Sequence, residues 1–280
     1  MGDLEKGAPE PAVPFGLPMR SNHFIYDKAY TPLNHGSYGA FPAAVRDYRI
    51  QLQDQIEARP DPVIRNTLPL LLKEARAAVA PLLGVPTNEV VFVPNATTAV
   101  NTVLRNLVFE EGDVIVHFST AYGACEKTID YVCETTPLQS TSVMLEYPME
   151  DVEVVQRFVE RVRDVYQSGR KVKIAMFDTV LTFPGVRMPW EALVKACKTW
   201  GILSLIDGAH VLGHIDLSHL GEVGPDFLHK QLLQVSHLML HPTAESLDGT
   251  PKAPQYLTLP DGSTSLVAAR SSTFLPGTTT

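Results

Sequence analysis

Cysteine is scarce in this chain: three occur among 280 residues, at 125, 133 and 197. An odd number without C-x-x-C spacing excludes a disulfide framework and gives no metal-knuckle signal, and it predicts a reducing, cytoplasmic setting. Positive charge is also in deficit, with 23 Lys and Arg against 31 Asp and Glu and a net charge of −8. Nucleic acid and anionic membrane surfaces attract basic patches, so neither is expected as a main partner. Long apolar runs are missing too. The most apolar helical stretch, TLPLLLKEARAAVAPLLG, is broken by Lys73, Glu74 and Arg76, which argues against a membrane span. The start, MGDLEKGAPEPAVPFGLPMRSN, has acids and prolines where a secretory signal would carry a basic start and an apolar run. Lys6 stands where the myristoylation pattern needs Ser or Thr. What remains is a chain with 45% hydrophobic residues, enough for a sizeable core, and a small-molecule ligand as the expected partner.

What is present is an alternation of elements. Residues 1–21 read as a disordered arm, from their Pro, Gly and charge content. FPAAVRDYRIQLQDQIEARP and TLPLLLKEARAAVAPLLG carry apolar residues at three-to-four spacing and end near Pro60 and Gly84, as helices do. Then a strand-turn-helix unit repeats: EVVFVP with NATTAVNTVLRNLVFEEG, DVIVHF with YGACEKTIDYVCE, TSVMLEY with MEDVEVVQRFVERVRDVYQSG, VKIAMFD with PWEALVKACKTWG, and finally LSLIDGAH. Strands that are apolar throughout, alternating with helices, predict an α/β fold with a mainly parallel sheet covered on both faces. Ligands bind such sheets at the carboxyl ends of the strands. Asn95, Phe118, Asp178 and Asp207 fall at those ends. After about residue 228 the chain is rich in Ser, Thr and Pro and keeps neither a helical nor a strand period.

Four stretches hold candidate chemistry. In VPNATTAVN, a strand runs through Asn95, Ala96, Thr97 and Thr98 into a helix. That arrangement suits a phosphate, and equally an ordinary helix cap. It matches neither a Walker loop nor a GxGxxG fingerprint. Tyr122 opens the helix after DVIVHF, where its ring lies over a flat ligand or packs at a surface. Asp207 ends a buried strand, and a buried carboxylate is costly without a cation. A protonated pyridine nitrogen would serve; so would a simple capping role in the turn DGAH, with His210 three residues on. LNHGSYGAFP is a glycine-rich turn that approaches a ligand or only enters a helix. Together, a phosphate cradle, a stacking ring and a pyridine-nitrogen partner appear in the order and at the sheet end that pyridoxal 5′-phosphate requires.

Several of these stretches have a further likeness. LNHGSYGAFP, EARPDPVIR, VFVPNATTAVNTVLRNL, STAYGACEKTIDY, FPGVRMPWEALVKAC and LSLIDGAHVLGHIDL together resemble the class V aminotransferase-like pyridoxal phosphate enzymes. The nearest branch is similar to isopenicillin N epimerase-like proteins and hercynylcysteine sulfoxide lyase, over roughly residues 22–228. The resemblance implies a pyridoxal phosphate transferase fold of type I, an amino-acid substrate and a homodimer. It implies a phosphate held by Ala96 and Thr97, a ring stacked by Tyr122, Thr182 and His210 beside the cofactor, and Asp207 paired with the ring nitrogen. Asp207 and His210 would thus be the catalytic pair. C–S bond cleavage is favoured over epimerisation on the likeness of FPGVRMPWE and STAYGACEKT. On this basis residues 22–66 belong to a small domain, 67–228 to a cofactor-binding large domain incomplete at its C-terminal end, and 229–280 to an irregular tail.

One departure from the family pattern is large. Relatives carry a cofactor-holding lysine in a stretch like SNCHKW, a few residues after a strand like PDFL. Here GPDFL runs into HKQLLQ, so Lys230 arrives about four residues early, too soon for a strand to bring it to the pocket. Codons for H-K-Q-L-L-Q read one base later can encode T-S-N-C-Y-K, and those for H-P-T-A allow T-P-R. The expectation is therefore that everything after about Leu228 is an out-of-frame product, with the lysine encoded where Gln234 stands; the alternative is that Lys230, which follows His229 as in the family's motif, is itself the cofactor-holding lysine. The chain as written is expected to be a poor catalyst or a non-catalytic fragment.

Overall fold

A computed structural model describes residues 13–35, 39–211, 213–231 and 265–269 of the chain. The arm up to residue 12, Gly36–Tyr38 of the glycine-rich turn, and Gln234 with most of the tail lie outside these described residues.

Helix α1 (Leu17–His23) opens the described chain, followed by α2 (Ala43–Ala58). A short turn, α3 (Pro60–Pro62), runs through a π-turn into α4 (Leu68–Val79). Strands and helices then alternate: β1 (Val90–Val93), α5 (Ala96–Asn106), β2 (Asp113–Phe118), α6 (Gly123–Thr135), β3 (Gln139–Val143), α7 (Asp151–Gln167), β4 (Lys171–Asp178), α8 (Trp190–Trp200) and β5 (Leu203–Asp207). The short α9 (Leu220–Val223), β6 (Phe227–Gln231) and β7 (Ser265–Ala269) complete the order. None of the helices among the described residues is long and apolar enough to cross a membrane.

The strands form one sheet in the order β1-β7-β6-β5-β4-β2-β3. Pairs from β3 through β6 are parallel, while β7 runs antiparallel to both β6 and β1. Two reversals cancel, so β1 points the same way as β2 to β6. All their carboxyl ends meet at one edge.

Side chains of a strand alternate between faces, and the two faces are covered separately. On one, α7 and α8 bring Phe158, Val162, Leu193 and Val194 onto Phe118, Phe177, Ile206 and Leu228. On the other, α5 and α6 bring Val100, Leu104, Cys125 and Ile129 onto Ile115, Met176, Leu205 and Phe227. A sheet buried on both sides needs strands without polar alternation, and β2 is buried at all of its positions.

The structure differs from the sequence reading in three places. Leu17 starts a helix inside the stretch read as an arm; Pro18 in its first turn presets the backbone there. β3 begins at Gln139 rather than Thr141, because its register is set by β2, where Val114 meets Gln139. The tail read as irregular contributes β7, whose place comes from pairing with β6 and β1 rather than from a local period.

Candidate functional site

At the carboxyl edge, three titratable residues stand in register on adjacent strands. Asp178 of β4 pairs with Asp207 of β5, which pairs with His229 of β6. By alternation all three face the α5 and α6 side, as do Met176, Leu205 and Phe227. Each is buried, with 4%, 5% and 0% exposure respectively.

Asp207 is held from several directions. Its Oδ1 accepts the Ala209 N–H at 2.9 Å, closing the turn that follows β5. Its Oδ2 accepts from the Cys125 thiol of α6 at 3.7 Å and lies 3.7 Å from His229 Nε2. The Thr179 N–H and hydroxyl both donate to its backbone carbonyl, at 2.9 and 3.2 Å. Gly208 must be small: a Cβ there would meet the His229 carbonyl oxygen at 2.9 Å, while its N–H donates to that same oxygen. Burial raises the carboxyl pKa of Asp178 well above the ordinary range, and the Asp207 charge raises it further. Burial likewise pushes the Cys125 thiol up, with Asp207 and Asp178 adding to it.

The turn before α5 lies at the same edge. Asn95 caps the helix, its Oδ1 accepting from the Thr98 N–H at 2.8 Å and the Thr98 hydroxyl at 3.0 Å. That cap leaves the Ala96 and Thr97 N–H groups at the positive end of the helix, beside an exposed Thr97 side chain. Helix α5 is tied to α6 by Asn101, which donates to Thr128 at 3.0 Å. Tyr122 precedes α6 and is 43% exposed. Thr182 is half-buried in the loop after β4, where Val180 bridges to Arg187.

His210 is half-buried, and its Nε2 donates to Asn34 Oδ1 at 3.1 Å, which clasps the N-terminal segment over the turn after β5. Burial lowers the pKa of His210, and the Asp207 charge partly offsets this.

The six residues singled out from the sequence therefore lie on the turns and strand ends of one edge. Lys230 does not share their side. It follows His229 on β6 and falls on the other face with Leu228, against the α7 and α8 core. Burial there drives its pKa well below the usual lysine range. Sequence reasoning missed Cys125, His229 and Asn34 as members of the site. No local pattern marks them: each is brought to Asp207 or His210 by strand register or helix docking.

Comparison with known proteins gives a consistent picture. The Aminotransferase class-V family model matches residues 64–230. The L-cysteine desulfhydrase-like protein lolT1 of Epichloe uncinata is 37% identical over 77% of this chain and 47% of its own length. Hercynylcysteine sulfoxide lyase of Schizosaccharomyces pombe is 32% identical over 74% of this chain and 51% of its own. The chain thus spans about half the length of the curated relatives it matches. Among solved structures, the cystine C-S lyase C-DES superposes with a TM-score of 0.67 at 14% identity, over 85% of this chain and 56% of that one. Its fold is shared.

Proposed function

The chain belongs to the class V aminotransferase family, whose cofactor is pyridoxal 5′-phosphate, and we propose that it binds this cofactor at the edge around Asp207 and is a C–S lyase of cysteine-like amino acids. The observation carrying the reading is the buried Asp207 carboxylate, set at the sheet edge that also holds the open N-terminus of α5. The residues present fit the group: among the described residues no arginine or lysine is hydrogen-bonded to the carboxylate, and the helix end has N–H groups for an anion.

When bound, the cofactor supplies an electron-withdrawing ring that eases bond breaking at the substrate's α- or β-carbon. The chain's own residues do the rest. Ala96 and Thr97 would hold the phosphate through backbone N–H groups and the Thr97 hydroxyl. Asp207 keeps the proton on the ring nitrogen, because a buried anion there favours the charged ring. Tyr122 offers a flat surface to the ring. Thr182 and His210 would supply polar contacts to it, and burial favours the neutral form of His210. Residues 67–228 form the cofactor-binding unit in this proposal, with 22–66 clasped over it by Asn34. A homodimer and a cytoplasmic location, consistent with three unpaired cysteines, belong to the same proposal.

C–S cleavage is chosen because both relatives named above carry a sulfur-lyase or desulfhydrase name. Lys230 lies on the far face, so the cofactor is expected to be held without a covalent bond to it, and turnover by this chain to be weak. Titration of the purified chain with pyridoxal phosphate tests the reading. A saturable absorbance change is expected, lost in Asp207→Ala, together with slow sulfide release from L-cysteine. Absence of any spectral change refutes cofactor binding; racemised cysteine without sulfide refutes the lyase assignment in favour of epimerisation.

A further inference from the structure

The Asp207 carboxylate and the two donors beside it suggest a second ligand. Cys125 Sγ and His229 Nε2 each lie 3.7 Å from Asp207 Oδ2, and one ligand atom from each residue falls within 4.8 Å of the others. A tetrahedral zinc ion has bonds of about 2.0 Å to N and O and about 2.3 Å to S, so its ligand atoms sit about 3.3 to 3.5 Å apart. The two spacings to Asp207 Oδ2 are a few tenths of an ångström wider, and the third, within 4.8 Å, closes by side-chain rotation as the ion draws the donors in.

The second observation is His229 itself. Its side chain has 0% exposure, and neither ring nitrogen has a hydrogen-bond partner among the described residues. A buried imidazole left so is costly, and native structures seldom tolerate it without a reason. An ion between the three groups would remove the cost.

We infer that Cys125, Asp207 and His229 form a binding site for a divalent transition ion of the zinc type, with the fourth position open to water or a small ligand. The donor set selects the ion: thiolate and imidazole favour zinc-like metals, whereas magnesium and calcium take oxygen ligands. Charge balances, since the carboxylate and the thiolate neutralise a divalent cation. The thiol proton passes to solvent on binding, and no oxidation occurs. The site does not rest on the cofactor proposal, but it shares Asp207 with it. A metal ion and a protonated ring nitrogen therefore compete for one carboxylate.

The test uses the full chain, treated with chelator and titrated with cobalt(II) and zinc(II) in the absence of pyridoxal phosphate. One equivalent should bind, with a thiolate-to-cobalt charge-transfer band and tetrahedral ligand-field bands that zinc abolishes. His229→Ala and the near-isosteric Cys125→Ser should each weaken binding at least about tenfold. Folding of both variants is checked by circular dichroism. Saturating zinc should raise the pyridoxal phosphate concentration needed for half-saturation in the parent chain and leave it unchanged in His229→Ala. Absence of the cobalt bands, or bands unaltered by both substitutions, overturns the inference while leaving cofactor binding to stand or fall on its own titration. Cobalt bands without any response to pyridoxal phosphate would instead sink only the cofactor proposal.

Discussion

His229 and Lys230 are neighbours in the chain and opposites in the structure. His229 faces α5 and α6 and stands beside Asp207; Lys230 faces the aliphatic core under α7 and α8. Both side chains have 0% exposure. One enters a row of polar groups at the strand ends, and the other carries an amine into the opposite face, which also holds the buried Ser204 hydroxyl bonded to Asp226. The contrast teaches that burial alone does not make a site. The same strand step that adds a third donor beside Asp207 takes the one lysine of β6 away from it.

That contrast can be broken at several points. The largest effect is expected from Asp207→Ala, which removes the charge from the polar side. Truncating one partner of a buried charge pair costs roughly 2 to 5 kcal/mol, so cofactor affinity should fall by about 100-fold in an absorbance titration. Lys230→Met tests the other side. Because burial disfavours the charged amine, an apolar chain of similar length there should be tolerated in urea unfolding, with cofactor affinity unchanged.

The pH dependence of that substitution sharpens the point. The amine pKa is lowered in the fold, so the unfolded chain binds more protons and the parent protein gains stability as pH rises towards the ordinary lysine value of 10.5. Lys230→Met should flatten this rise in melting temperatures measured between neutral and alkaline pH. Asp178→Asn should do the reverse on the polar side. The raised carboxyl pKa makes the fold bind more protons than the unfolded chain, so the parent loses stability as pH climbs above 3.8. The stabilising effect of the substitution should therefore be small near pH 4 and larger at neutral pH. Asn34→Ala is the mildest change. It deletes the hydrogen bond to His210, a bond worth about 1 kcal/mol, and should appear as faster hydrogen exchange in residues 24–35 with little change in global unfolding.

Much of the fold was legible beforehand for a physical reason. Alternating apolar strands and amphipathic helices encode a layered α/β sheet locally, and a residue such as Asp207 declares itself by ending a buried strand. The caps were also readable, since Asn95 sits three residues before the N–H it accepts from. The site's other half was not. Cys125 lies 82 residues from Asp207 and Asn34 lies 176 from His210, and no spacing rule spans such distances. β7 was hidden likewise, because its pairing partners rather than its own period define it.

The sequence by itself determined the order of strands and helices from β1 to β5, the apolar character of the sheet and the carboxylate at its edge, since these follow from local pattern and solvation. Which face each β6 side chain enters, and hence that His229 joins Asp207 while Lys230 departs, was decided only by tertiary structure. Strand alternation offers two faces, and only docking against neighbouring strands and helices selects between them.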